Sequence, residues 1–269
     1  MCRMIAAAGT LPAARLLESL RRMASNVNPG HDHEHRRRGA EYRHEDGWGA
    51  AWIADGRIQA VRHPESCLSS ASSLAAGPDP KTQGLPESPL ILLHARRSSV
   101  GSVELANTHP FTAGREGVAY AFCHNGTVDD DLVSSPSAPR PDHRAPQGTT
   151  DSEALFHYLL DSLDPARPAE SISSALDRIR SYNGMLCFLA SPAWILALSW
   201  RHPERGKPDY HALWEGWGDG VHVVSSERVG HLGCSLWRKL PHRGVVMLDP
   251  GNLPCRLAEA RNARGDTGL

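Results

Sequence analysis

The 269-residue chain has six cysteines but no Cys-x-x-Cys pair, which excludes a zinc ribbon. Cys2, Cys67, Cys123, Cys187, Cys234 and Cys255 are also spread too widely for a dense disulfide scaffold. Reduced thiols in a cytosol are the expected state. No apolar run approaches the length of a membrane span, so no membrane partner is expected. The net charge is only -1, with no basic excess to attract nucleic acid or an anionic surface. The first apolar stretch is short, broken by Gly9-Thr10 and Pro12, and followed by Glu18 and Arg21-Arg22, unlike a secretory signal. The 40 % hydrophobic content is ordinary for a globular chain, and the length suffices for one substantial core.

Patterning along the chain predicts mixed helices and strands, an α+β class. Residues 3–8 read as a buried strand ended by Gly9-Thr10. Ala13, Leu16, Leu17, Leu20 and Met23 recur at helical spacing over 12–24. Two short apolar runs around Asp55-Gly56 predict a hairpin. Residues 68–76 read as a short helix, 77–89 as a proline-rich surface connection and 90–93 as a buried strand. A strand over 118–123 is expected to end in His124-Asn125-Gly126. Thr150 or Asp151 caps a helix over 153–163, and a second helix covers 168–180. Short strands follow at 185–190, 194–199, 211–214, 221–224 and 245–248. The polar stretch 258–269 reads as a frayed tail.

Several residues invite a chemical reading. A cysteine at position 2 is small enough for Met1 to be removed cotranslationally, which would leave an amine and a thiol on one residue. Such groups titrate near about 7.7–8.0 and about 8.5, so the amine can take the thiol proton. His31, His33 and His35 alternate in a charged loop; imidazole ligates metals, but no second cluster accompanies them, and a solvated loop or a lid over a site fits better. Gly47 and Gly49 flank Trp48 and call for either tight strand packing or a ligand pocket. His94-Ala-Arg-Arg-Ser-Ser-Val-Gly101 follows a buried strand, where site residues often sit, although an exposed loop would look similar. Asn125-Gly126 could form a simple turn or aim an amide and an N–H at a developing oxyanion.

Met1-Cys2-Arg3, His94–Gly101 with Asn107-Thr-His-Pro-Phe111, His124-Asn-Gly126 and Thr150-Asp-Ser-Glu153 stand in one order. That ordered set resembles the class II glutamine amidotransferase domain, an N-terminal-nucleophile hydrolase, over residues 2–257. Asp46-Gly-Trp-Gly49 and Val223-Val-Ser-Ser-Glu227 resemble its stand-alone members, such as the ergothioneine-pathway γ-glutamyl hydrolase and the glutathione-degradation subunit.

The resemblance implies a four-layer αββα sandwich and hydrolysis of a γ-glutamyl amide, in glutamine or a γ-glutamyl compound, through a Cys2 thioester. It implies Asn125 and Gly126 as oxyanion donors, Arg96 and Ser99 as carboxylate ligands, Asp151 as partner of the substrate ammonium, and neither metal nor organic cofactor. Larger members read Trp, Thr and His where this chain has Arg97, Ser99 and Val100, so one side-chain contact is lost and a compound other than free glutamine is expected. Cys123 is expected to be a buried strand thiol. Two other readings stand beside the hydrolase: a glutaminase subunit passing ammonia to a separate acceptor enzyme, and a catalytically idle binding domain.

Overall fold

A computed structural model describes residues 2–28, 42–69, 85–134, 146–205, 211–218 and 220–253. The expected helix over 68–76, the His31–His35 run and the 258–269 tail lie wholly or mostly outside them.

The first sheet is built from β1 (Arg3–Gly9), β2 (Trp48–Ala54), β3 (Arg57–His63), β4 (Leu90–Ala95), β9 (Trp214–Gly218), β10 (Val221–Ser225) and β11 (Cys234–Lys239). Its order is β11-β9-β10-β1-β4-β2-β3, antiparallel throughout, which puts β1 at the centre. The second sheet contains β5 (Phe111–Arg115), β6 (Val118–Val128), β7 (Tyr182–Ala190), β8 (Ile195–Arg201) and β12 (Gly244–Leu248), in the order β12-β8-β7-β6-β5. The described helices are α1 (Ala13–Ala24), the short α2 (Asp131–Ser134), α3 (Asp151–Ser162) and α4 (Pro168–Leu176).

Successive strand residues point to opposite faces, and that alternation generates the layers. On β1, Ile5 and Ala7 join Leu16, Leu20 and Met23 of α1 in one core. Met4, Ala6 and Ala8 face the other way, against Ala121 and Cys123 of β6 and Phe188 of β7. Phe122 of β6 then turns outward onto Leu155, Phe156 and Leu159 of α3 and Ile172 of α4. The layers therefore run helix, sheet, sheet, helix, the expected αββα sandwich. Alanines on the inner faces allow the sheets to approach closely. Each fully buried leucine or phenylalanine contributes about 1.5–3 kcal/mol, so the amphipathic face of α1 is held by packing more than by its own propensity.

Some expectations need correction. β6 does not stop before a turn at Asn125-Gly126; it continues to Val128, with His124, Asn125 and Gly126 paired to Cys187, Leu186 and Met185 of β7. The expected strand over 211–214 is displaced: Ala212 and Leu213 are buried but outside a ladder, and β9 starts at Trp214. The second helix stops at Leu176 instead of 180. Strands β5 and β11 were not anticipated, because glycine and charged residues interrupt their apolar pattern.

Candidate active site

Cys2 immediately precedes β1, whose Arg3 and Met4 pair with Ala95 and His94 of β4. The residue is 8 % exposed. Its nitrogen donates to Oδ1 of Asn125 at 2.9 Å, and its Sγ lies 3.9 Å from the Arg97 carbonyl. Alternation along β6 explains this meeting: Asn125 shares the inward face of Ala121 and Cys123, while His124 turns toward α3. Asn125 is fully buried and its Nδ2 has no hydrogen-bond partner among the described residues. Gly126 adopts φ +147°, and a Cβ there would stand 1.7 Å from the Gly184 carbonyl oxygen, so only glycine fits.

The cleft beside Cys2 is lined by Arg96, Arg97, Ser99, His109, Gly126 and Asp151, with a free volume of about 20 Å³. That is room for roughly one water. Thr150 caps α3, its Oγ1 accepting the Glu153 N–H at 3.3 Å, and this fixes Asp151 in the first turn. Asp151 Oδ2 accepts the Val128 N–H at 2.8 Å, tying α3 to the end of β6. Glu153 accepts the N–H groups of Gln147 and Gly148 at 2.9 and 2.7 Å, bracing the approach to the same helix. Ser99 is exposed at the rim.

Arg96 is buried, and its guanidinium is turned onto its own loop. Nη1 donates to the Ser102 carbonyl at 3.0 Å, and Nη2 to the Val100 carbonyl at 2.8 Å and to Ser98 Oγ at 3.2 Å. Asp46 holds the other side of this loop, its Oδ2 accepting the Ser98 N–H at 2.7 Å. Asn107 bridges the same loop to α3, accepting the Thr149 N–H at 2.8 Å and donating to Ser102 and Glu104. Arg97, by contrast, stacks over Tyr42 at 4.7 Å.

Three buried imidazoles form the floor. His94 Nε2 lies 3.3 Å from the His124 carbonyl, His124 Nδ1 lies 2.8 Å from Ser152 Oγ, and the His94 and His109 rings are 4.1 Å apart. Burial pushes His94 down to about 3. Burial, then the neighbouring His94 and His124, hold His109 well below its ordinary value. Burial lowers His124 as well, against the opposing pull of Asp151. All three are neutral at pH 7. Burial raises the Cys123 and Cys187 thiols far above their ordinary range, so both are inert core thiols beside a reactive candidate in Cys2.

The structure thus brings Cys2, Arg96, Ser99, Gly126 and Asp151 to one cleft, with Asn125 bonded to Cys2. Sequence reasoning passed over His109 and Ser152, although both stand inside motifs it used. The two readings of Gly47 and Gly49 resolve to packing: a Cβ on Gly49 would lie 2.3 Å from the His109 carbonyl oxygen and one on Gly47 3.0 Å from Thr108 Oγ1. Among the described residues no group of three or more His, Cys, Asp or Glu is placed to hold a metal ion, and no helix is long and apolar enough to cross a membrane.

Comparison with known proteins agrees with this geometry. An uncharacterized protein of Methanocaldococcus jannaschii is 30 % identical over 178 residues, covering 63 % of this chain and 46 % of the relative. The chain spans about half the length of the curated relatives it matches first. The structure of a predicted glutamine amidotransferase from Pseudomonas aeruginosa superposes with a TM-score of 0.51 at 17 % identity, covering 95 % of this chain and 96 % of that one. Glutamine phosphoribosylpyrophosphate amidotransferase of B. subtilis gives a TM-score of 0.59 at 13 % identity, covering 94 % of this chain and 50 % of that one. At these identities the two structures establish the N-terminal-nucleophile fold alone. The family model for class II glutamine amidotransferases matches residues 31–184, more than half of the sequence, and the chain belongs to that family.

Proposed function

We propose that this protein hydrolyses a γ-glutamyl amide, with Cys2 as its nucleophile once Met1 is removed. The supporting observation is the 2.9 Å contact between the Cys2 nitrogen and Asn125 Oδ1, beside an Asn125 Nδ2 that is buried and unpartnered. One amide side chain would thereby orient the Cys2 amine and keep a donor in reserve for the oxyanion. The thiol proton passes to the amine, and the sulfur bonds to the δ-carbon of the glutamyl group. Asn125 Nδ2 and the Gly126 N–H receive the negative oxygen. As the C–N bond breaks, the leaving amine takes the proton back from the Cys2 ammonium. Water then adds to the thioester, the C–S bond breaks, and the thiolate recovers a proton as glutamate leaves.

Substrate selection follows from the opposed charges of Arg96 and Asp151. Arg96 would exchange the Val100 and Ser102 carbonyls for the substrate α-carboxylate, a stronger charge-assisted partner, with Ser99 adding a hydroxyl at the rim. Asp151 would pair with the α-ammonium. A cleft with room for about one water must open when substrate enters, and the loop that Arg96 holds is the part that moves. Five described cysteines are free thiols, in keeping with action in a reducing compartment such as the cytoplasm.

The test is intact mass before and after treatment with a diazoketone analogue of glutamine, with Cys2→Ala as control. Loss of Met1 and one adduct confined to Cys2 support the proposal, and a screen of γ-glutamyl amides for glutamate release then identifies the substrate. Retained Met1, or labelling that persists in Cys2→Ala, overturns it in favour of an idle binding domain. Glutamate release that appears only with a second protein present would instead mark a glutaminase subunit.

A further inference from the structure

A second polar cluster lies on the opposite face of β1 from the cleft. Arg3 follows Cys2 in the chain and is 1 % exposed, and its Nε lies 2.7 Å from Oε1 of Glu227, itself 4 % exposed. The other carboxylate oxygen of Glu227 accepts from Nδ2 of Asn28 at 2.8 Å. The preceding residue, Ser226, accepts the Met4 N–H at its Oγ at 2.8 Å, and its own N–H donates to the Met4 carbonyl at 2.9 Å. Two consecutive residues just beyond β10 therefore grip the two residues that follow Cys2. Nothing in the hydrolytic cycle above uses them, and the span matched by the family model ends well before position 226.

We propose that Glu227 is a positioning residue for Cys2: it fixes the open end of β1 through Arg3 and cancels the Arg3 charge beside the Cys2 nitrogen. This rests on the reading of Cys2 as an N-terminal nucleophile. The surroundings of that nitrogen make the charge matter. β1 contributes Arg3; β4 and the loop after it contribute His94, Arg96 and Arg97; β6 contributes Cys123 and His124; α3 contributes Asp151. His109 enters from ahead of β5, and His44 and His211 from the segments before β2 and β9. Burial keeps the five imidazoles neutral at pH 7. The charged groups here are the guanidinium groups of Arg3, Arg96 and Arg97 and the carboxylates of Asp46, Asp151 and Glu227. Removing the Glu227 carboxylate shifts that balance toward positive charge, which disfavours an ammonium on Cys2.

The experiment is the pH dependence of Cys2 labelling by the diazoketone analogue in the full, processed chain, for wild type, Glu227→Gln, Arg3→Gln and the double variant. In Glu227→Gln the acid limb should move down by roughly one pH unit, and in Arg3→Gln it should move up by a similar amount. The double variant should return it to the wild-type position. Slower labelling with an unmoved acid limb in the single variants would show that Glu227 only supports the fold and would overturn the inference. If Glu227→Gln does not fold, Arg3→Gln, in which Glu227 keeps its Asn28 hydrogen bond, and the double variant, which removes both charges, decide in the same way. Wild-type protein that is not labelled at Cys2 would instead refute the hydrolase reading itself, a separate outcome.

Discussion

The Cys2 nitrogen and Asn125 Oδ1, 123 residues apart in sequence and 2.9 Å apart in space, join the first sheet to the second beside the Cys2 sulfur. Correct seating of both sheets is therefore a condition of the proposed activity. Asn125→Ala removes the acceptor and the reserve donor together. We expect it to lower kcat by about 10²–10³-fold, equivalent to roughly 3–4 kcal/mol, with a thermal midpoint near that of wild type. Steady-state glutamate release paired with a calorimetric melt checks this; a loss of less than tenfold counts against Asn125 as an oxyanion donor.

Under the proposed mechanism Arg96 has two tasks, and a conservative replacement separates them. Arg96→Lys keeps a cation but cannot reach the Ser98, Val100 and Ser102 partners with a planar fork. KM for the γ-glutamyl substrate should rise by about 10–100-fold, as expected when a charge-assisted pair is weakened. Amide exchange across 98–102 should also quicken. Faster exchange with an unchanged KM would leave Arg96 as a loop brace alone.

Glycine is required where β6 passes Gly184. Gly126→Ala places a Cβ 1.7 Å from a backbone oxygen and at a positive φ. A backbone shift is forced, and we expect about 2–4 kcal/mol of destabilisation together with loss of Cys2 labelling. Chemical denaturation of the variant measures the first effect and mass spectrometry the second.

The buried imidazoles give stability an acid limit. Burial lowers His94 to about 3 and His211 to about 4 in the folded chain, whereas both return to an ordinary value near 6.5 on unfolding. Between those values the unfolded state binds the extra protons. Stability is thus fully present above about pH 6.5 and falls as pH drops toward 4, by about 1.4 kcal/mol per pH unit for each such histidine. Urea midpoints from pH 8 to 4 test the sign, and His94→Gln should flatten the slope. A flat profile over pH 6 to 4 in the wild type would contradict it.

Arg115 offers a structural control away from the cleft. Its Nη1 donates to the Leu160 and Leu163 carbonyls at the end of α3, where a cation also meets the negative pole of the helix. Arg115→Ala should cost about 1–2 kcal/mol of stability and leave Cys2 labelling at neutral pH unchanged. A changed labelling rate would tie the far end of α3 to the site.

Much of this architecture was legible because its signals are local. The helical spacing of Leu16, Leu20 and Met23, the Asp55-Gly56 turn and the helix cap each lie within a few residues; the first two formed as read, and the cap fell on Thr150, one of its two candidates. The candidate site was legible for another reason: its motifs keep a recognisable order even though their contacts span the whole chain. What escaped was the use of each donor. Arg96 spends its guanidinium on carbonyls of its own loop, and Arg3 meets a carboxylate more than two hundred residues away; no periodicity announces either. The continuation of β6 through Asn125-Gly126 was hidden because an Asn-Gly pair is ordinarily a turn, and only the ladder with β7 overrides that preference.

The central place of β1 has one more consequence. Ladders on both sides, to β4 and β10, hold the strand that Cys2 leads into, whereas the surrounding rim consists of loop residues such as Arg97, Ser99 and Val100. On the proposed reading, reactivity and choice of substrate are inherited from separate parts of the chain. Exchange of that rim between relatives should then redirect which amide is cleaved while the Cys2 sulfur stays where it is.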